Sequence, residues 1–480
     1  MRKLVPALVA ALLLAAAPAA HAAATKLTIT GAGFGHGIGM SQYGTYGYSL
    51  HLKTYDYILG HYYSGTTLGA LDANPQVRVL LQGSKKSISF AGGLNAGDQK
   101  LDPAQTYTVR RTAAGLDLRD TTGASVGTVA GTLRVDAPVG QALRLNGTSV
   151  PGVRDGLYRG SLLISASGSG LIAVNALDLE DYVRGVVSGE SPSAWPTEAL
   201  KAQAVAARTY AITSHAGGAV FDQYADTRSQ VYRGVSAETP NTDAAVQATT
   251  GQVVTFGGQP VTTYFFSTSG GETEDVQNSF VGSQPKPWLK AVQDPFDNVS
   301  PKHRWGPYRF TAAQVQRKLH RYVRGRFKRI KVLQRGVSPR VVRAQVVGTG
   351  GVTNVTGPQL RSAFGLFDTW AFFTSVTSKA SKPKPAAKKP EATPATPADP
   401  TGGVSPVARA AASHAALLEG TIAPARAGRW VRVERREGTR WVAATDGKVL
   451  RGGRYSVAVP RPGVYRVVYG RAVGPSVRVA

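Results

Sequence analysis

Residues 175–210 read NALDLEDYVRGVVSGESPSAWPTEALKAQAVAARTY. Two helices joined by a turn follow from this stretch. Asp178 can cap a helix through Val187, with Asp181 three residues on as a capping-box-like partner. Pro196 sits where a second helix can begin, and Thr197 to Ser214 contains no Gly or Pro. Ala at 199, 202, 204, 206, 207 and 211 keeps that helix slim, so other elements can approach its backbone. Strands dominate around the pair. Val77–Leu81, Ser161–Ile164, Ile172–Val174, Gln252–Phe256 and Val261–Phe266 are short apolar or alternating runs. The class is therefore α+β: mainly antiparallel strands with a helical insertion.

Working outward, residues 1–22 have the form of an export leader. Arg2 and Lys3 precede an apolar run, Leu4–Ala17, that is short for a bilayer span, and Ala20-His21-Ala22 fits a small-x-small cleavage site. The main domain is expected over 25–377. Residues 378–419 follow as a Pro/Ala/Lys-rich linker, with a short helix expected at Val407–Leu418. The last segment, 420–480, alternates in the manner of a small β-sandwich or barrel.

The 480 residues hold 56 Lys+Arg against 29 Asp+Glu, a net charge of +27. That balance implies an anionic partner. An export leader argues against nucleic acid and points to the wall or the outer face of the membrane; a secreted, wall-associated protein is expected, with anionic wall polymers among its candidate partners. Zero Cys excludes disulfide frameworks, thiolate metal sites and Cys nucleophiles. Pro301–Gly350 carries 14 Lys/Arg and no acid. It reads either as a solvated basic face or as a docking surface.

Three constellations bear chemistry. Gly31–Gly44, GAGFGHGIGMSQYG, is a glycine loop offering His36, Ser41, Gln42 and Tyr43; without a following Gly-Lys-Ser/Thr it is no nucleotide loop. Val186–Pro196 places Glu190 among Val187, Pro192 and Trp195, where an apolar, aromatic-lined loop would raise its pKa as a general acid requires. The plain alternative is an exposed loop Glu. Thr263–Glu274 ends an apolar strand in hydroxyls, among them Ser267 and Ser269, which suit sugar recognition or turn capping equally.

These blocks resemble the SpoIID/LytB family of stage II sporulation protein D and amidase enhancer. Asn175–Glu190, Trp195–Tyr210, Asp226–Tyr232, Phe266–Gly271 and Gly35–Gly44 carry the resemblance, which covers about Leu27 to Thr377. It implies action on peptidoglycan as a lytic transglycosylase, with Glu190 as catalytic acid/base. His36, Ser41, Gln42, Arg208, Tyr232, Ser267 and Ser269 are implied to bind or orient the substrate or the catalytic loop. No cofactor is implied. The expected partner is the glycan strand, with a cell-wall amidase as a further one. The alternative is a non-catalytic glycan-binding factor that stimulates such an amidase; a structural envelope protein with a relic domain is a third, weaker reading.

Two departures stand out. The His36 block usually comes near the end of the family's domain; here it comes first, followed by Tyr55–Leu68, while Val352–Phe373 closes the domain. This order looks like a circular permutation, which requires the strand near Lys26–Thr30 to lie beside the one near Trp370–Phe373. Some members also place cysteines around Asp226–Tyr232, where Ala225 and Ser229 stand here. No metal is therefore expected, and His36, His61 and His215 read as structural.

Overall fold

The computed structural model describes residues 25–150, 153–377, 416–421, 429–450, 454–459, 463–469, 472–473 and 476–479. The leader read at 1–22 and the linker up to residue 415 lie outside the described residues. The chain divides into two compact units, Met1–Lys384 and Pro385–Ala480. Among the described residues, no helix is long and apolar enough to cross a membrane.

Strand β1 (Thr25–Ala32) opens the first unit, followed by α1 (Gln42–Leu50) and α2 (Tyr55–Tyr62). The strands from 76 to 178, joined at one edge by Gln223–Tyr224 in parallel, then form two largely antiparallel sheets of seven and six strands. Their inward residues, including Val79, Leu81, Phe90, Leu162 and Ile164, share one apolar core. The central strand of 170–178 runs directly into α3 (Leu179–Glu190), followed by α4 (Thr197–Thr213) and α5 (Pro240–Ala248). On α3, Tyr182, Val183, Val186 and Val187 form one buried stripe over that core.

α4 is buried on two faces. Leu200, Ala204, Ala207 and Ala211 pack into the sheet core. Ala202, Val205 and Ala206 enter a second core with Ile38, Met40, Ile58, Leu59 and Tyr62 from the glycine loop and α2. Its alanines let α1, α2, α3 and α5 all reach it. A third core lies under β1 and the strands of 304–377, including Leu27, Ile29, Phe327, Ala344 and Leu360. Here β1 lies between 304–311 and 371–377, with Thr25 opposite Thr377 and Gly31 opposite Ala371.

Three local expectations change. α3 runs through Gly189 to Glu190, so Glu190 ends a helix rather than sitting in the loop after it. Gly185 and Gly189 stay helical because the segment 231–234 crosses against them and leaves no room for a Cβ at either position. Asp178 takes the N-cap position, but its exposed side chain makes no capping bond. Val261–Phe266 is not one strand. Phe265–Phe266 pairs in parallel with Met40–Ser41, while the Thr263 hydroxyl donates to the Ala206 carbonyl of α4. The chain there is held to the glycine loop and α4 instead of to a neighbouring strand.

In the second unit, 430–437 pairs with 440–448 and 463–469, and 416–421 pairs with 454–459. The two sheets share a cluster of Leu418, Val431, Val433, Val457 and Tyr465. Ala416–Leu418, expected at the end of a short helix, begins a strand because Leu418 fills this core opposite Val457.

An alanine Cβ at Gly185 would lie 2.5 Å from Cε2 of the fully buried Tyr232 ring. Overpacking of this kind costs about 1–3 kcal/mol, against roughly 1 kcal/mol gained from helix propensity. Gly185→Ala should therefore lower the melting temperature; a raised one would contradict the close crossing of α3 and 231–234.

Candidate active site

The glycine loop places α1. Gly33, Gly35, Gly37 and Gly39 all have positive φ, so every second residue adopts a conformation that suits glycine. The loop leans on a buried ion pair: Arg340 donates to Asp368 at 3.0 Å and to the Ser269 and Glu272 carbonyls. Ser41 then caps α1, its hydroxyl accepting from Gly44 N–H at 3.1 Å and from Ser269 N–H at 3.2 Å.

Gln42, the first residue of α1, meets Glu190, the last of α3. Gln42 Nε2 donates to Glu190 Oε2 at 3.0 Å, and Val231 N–H donates to Oε1 at 2.7 Å. Gln42 Nε2 also lies 3.4 Å from Gln203 Oε1 on α4. The Glu190 carboxyl is half-buried. Its burial raises its pKa; the Val231 and Gln42 bonds, with the positive charge of Arg233, pull the other way without cancelling the rise. A carboxyl in this setting can give up and recover a proton near neutral pH more readily than an exposed one. Gln42 suits both states: its N–H donates to the carboxylate, and after an amide flip its oxygen accepts from the acid. Gln203 Nε2 is buried without a partner, leaving a donor free to answer that flip.

Helix α1, which carries Gln42, also holds two rings of an aromatic cluster. Tyr46 stacks on Trp195 with centroids 5.0 Å apart and planes 12° apart, and Tyr43 meets Trp195 edge-on at 5.2 Å. All three are half-buried. Tyr46 is four residues after Gln42 and so shares its helix face.

The other expected residues lie elsewhere. The His36 ring packs against Phe266, Phe280 and Tyr264, and its Nδ1 accepts from Ile38 N–H at 3.1 Å. Burial and the charges of Arg361 and Arg340 push it down to about 3, so it is a neutral ring shaping the loop. No hydrogen bond joins it to Glu190 among the described residues. Arg208 is fully buried, paired through two 2.7 Å bonds with Glu180 and bonded to the Gln252 carbonyl. Tyr232 is buried, stacked on Tyr182 and donating to Asn175 at 2.7 Å. Both are closed off from solvent and tie α3 and α4 to their supports. Ser267 faces Thr268, and its carbonyl accepts from Tyr43 N–H at 2.9 Å. Ser269 is buried, its hydroxyl accepting from Gly271 N–H at 3.0 Å. His61 bonds Tyr48 and the Gln293 carbonyl, and His215 lies 3.3 Å from Asp222.

Asp294, which no motif announced, sits beneath the first turn of α1. The hydroxyls of Ser41, Ser269 and Tyr62 face its carboxyl without closing well-formed hydrogen bonds to it. Burial and the nearby Asp297 raise its pKa to about 7.

The fold and site together define an α+β protein in which two helix ends meet at the half-buried Glu190 carboxyl. Residues 167–256, which include α3 and α4, match the family model described as Stage II sporulation protein. The chain is 37% identical over 164 residues to Stage II sporulation protein D of Bacillus subtilis, covering 31% of this chain and 47% of that protein. It is 39% identical over 152 residues to an uncharacterised protein of Brachyspira hyodysenteriae, covering 28% and 41%. It is 43% identical over 115 residues to the amidase enhancer of Bacillus subtilis, covering 24% and 15%. The matched segment is thus similar to the SpoIID/LytB family, and the matches span less than half the length of these three relatives.

Gln42→Leu removes a donor that favours the charged carboxylate, so it should move the Glu190 ionisation upward. Carbon-13 NMR of labelled Glu, with Glu190→Gln to assign the signal, reads this directly. An unchanged or lowered pKa would show that Gln42 does not control the carboxyl.

Proposed function

We propose that this protein cleaves peptidoglycan glycan strands as a lytic transglycosylase, with Glu190 as the single acid/base. The observation that carries the reading is the half-buried Glu190 carboxyl with a raised pKa, held by Val231 and by Gln42, whose helix also carries Tyr46 stacked on Trp195. Protonated Glu190 gives its proton to the glycosidic oxygen between N-acetylmuramic acid and N-acetylglucosamine as the C1–O bond breaks. The muramoyl C6 hydroxyl then adds to C1 and loses its proton to Glu190. The products are a 1,6-anhydro end and a free C4 hydroxyl, and the acid is restored. Because the nucleophile belongs to the substrate, one carboxyl serves both steps, unlike the two of ordinary glycoside hydrolysis. Trp195, Tyr46 and Tyr43 supply ring faces for sugar stacking.

The family and the relatives' names support a cell-wall role in a secreted or wall-associated setting. One relative is named an amidase enhancer, and that name favours a second reading. In it, the same surface binds glycan without cleaving it and stimulates an amidase. We also read the chain order as a circular permutation, because the start of β1 at Thr25 lies opposite Thr377 at the end of the strand of 371–377. A short link between them would restore the family's usual order.

Purified protein should release anhydro-ended fragments from glycan strands stripped of stem peptides, as read by mass spectrometry. Glu190→Gln should lower the rate by at least ~100-fold, the usual scale of general acid–base catalysis. Equal inertness of both proteins with intact glycan binding would favour the amidase-stimulating reading instead.

A further inference from the structure

Apart from Arg340, which braces the glycine loop, the basic stretch 301–350 has no hydrogen bond to the carboxyl site among the described residues. Its strands Phe327–Arg335 and Val341–Gly348, with 351–356, form a three-stranded antiparallel sheet. One face is closed by Phe327, Ile330, Ala344 and Val346, which are buried in the third core. The other face carries Arg329 opposite Val347, Lys331 opposite Gln345, and Arg343 opposite Gln334. At one end, the incoming loop brings Arg324 and Arg326 against the hairpin at Thr349–Gly350 through backbone bonds.

Arg324, Arg326, Lys328, Arg329, Lys331 and Arg343 are all exposed. Among the described residues, none has an ion-pair partner. From 301 to 377 the sole acid is Asp368, and it is buried against Arg340. An ordinary solvated face mixes signs to limit self-repulsion; this one does not. Ten of the 14 cations in 301–350 are Arg, whose planar fork pairs with phosphate through two bonds.

We propose that this sheet face and its loop form a docking track for a linear phosphodiester polymer, such as a polyol-phosphate chain of the cell wall. Successive outward positions on a strand are about 6.6 Å apart, and residues 327–334 extend about 23 Å. A single flexible chain with one charge per short repeat can lie along such a row. The outward positions 329, 331, 343, 345 and 354 are Arg, Lys, Arg, Gln and Asn. None offers a ring for stacking bases, as a single-stranded nucleic-acid groove would. The track would hold the protein on its wall independently of what Glu190 does.

The test uses the full chain and labelled poly(glycerol phosphate), with binding followed by fluorescence anisotropy over a salt series. Replacing Arg326, Arg329, Lys331 and Arg343 together by Gln should weaken binding at least tenfold. At ~0.7 per lost contact on a single-stranded polyanion, it should also flatten the log-affinity against log-salt slope by about 3. A charge-matched variant with Gln at Lys86, Lys100, Arg110 and Arg144, all exposed elsewhere, should keep the wild-type affinity. Equal loss in both variants would show that only net charge matters and would overturn the track. So would unchanged binding in the first variant, or equally tight wild-type binding to DNA or to anionic lipid vesicles. Circular dichroism melts on both variants separate lost binding from lost folding. None of these readings depends on glycan cleavage, so failure of the catalytic reading leaves the result interpretable.

Discussion

The structure depends on burying α4 from two sides. Most helices bury one stripe and solvate the other, but α4 lies between the sheet core and the core of α1 and α2. Alanine at 202, 204, 206, 207 and 211 makes this possible, because larger side chains would force the neighbouring helices apart. The consequence reaches the site. Gln203 sits at the seam between the two packed faces, where Gln42 bonds Glu190 across 148 positions of sequence. The carboxyl environment is thus set by helix packing together with the Val231 segment that donates to it.

The same economy holds the glycine loop. Its left-handed glycines carry a large entropy cost, offset by the Arg340 guanidinium, which satisfies two of the surrounding carbonyls from within the third core. A buried ion pair adds little net stability by itself, yet removing one partner leaves a costly lone charge. The pair therefore fixes the loop's shape more than it strengthens the fold. Asp294 completes the support beneath Ser41, so that both ends of the turn leading to Gln42 are held by polar groups out of reach of solvent.

Much of the architecture was legible because periodicity and punctuation report on it directly. The α3–α4 pair, the strands around 77–81 and 161–174, and the alternation of the last segment all follow from spacing. Glu190 was visible as a carboxyl in an apolar setting. That it ends a helix was hidden, because the helix was expected to stop at Val187 and nothing in the sequence shows that the crossing segment 231–234 requires the glycine at 189. Arg208 and Tyr232 read equally as residues orienting the substrate or the catalytic loop, because a polar residue in a motif does not reveal its burial. The pairing of Arg208 with Glu180, 28 residues away, becomes visible only in three dimensions. The surroundings of His36 were hidden for the same reason: its aromatic neighbours come from residues 264–280. The backbone N–H of Val231 leaves no side-chain signal at all, whereas Tyr46 could have been found from its i,i+4 spacing to Gln42.

The most direct test of the central claim is a crystal structure of Glu190→Gln with a denuded glycan fragment bound. The account predicts a sugar ring against Trp195 and Tyr46, with the scissile glycosidic oxygen about 3 Å from the side chain at position 190. A fragment bound away from α3, with residue 190 out of hydrogen-bond reach of any glycosidic oxygen, would contradict it.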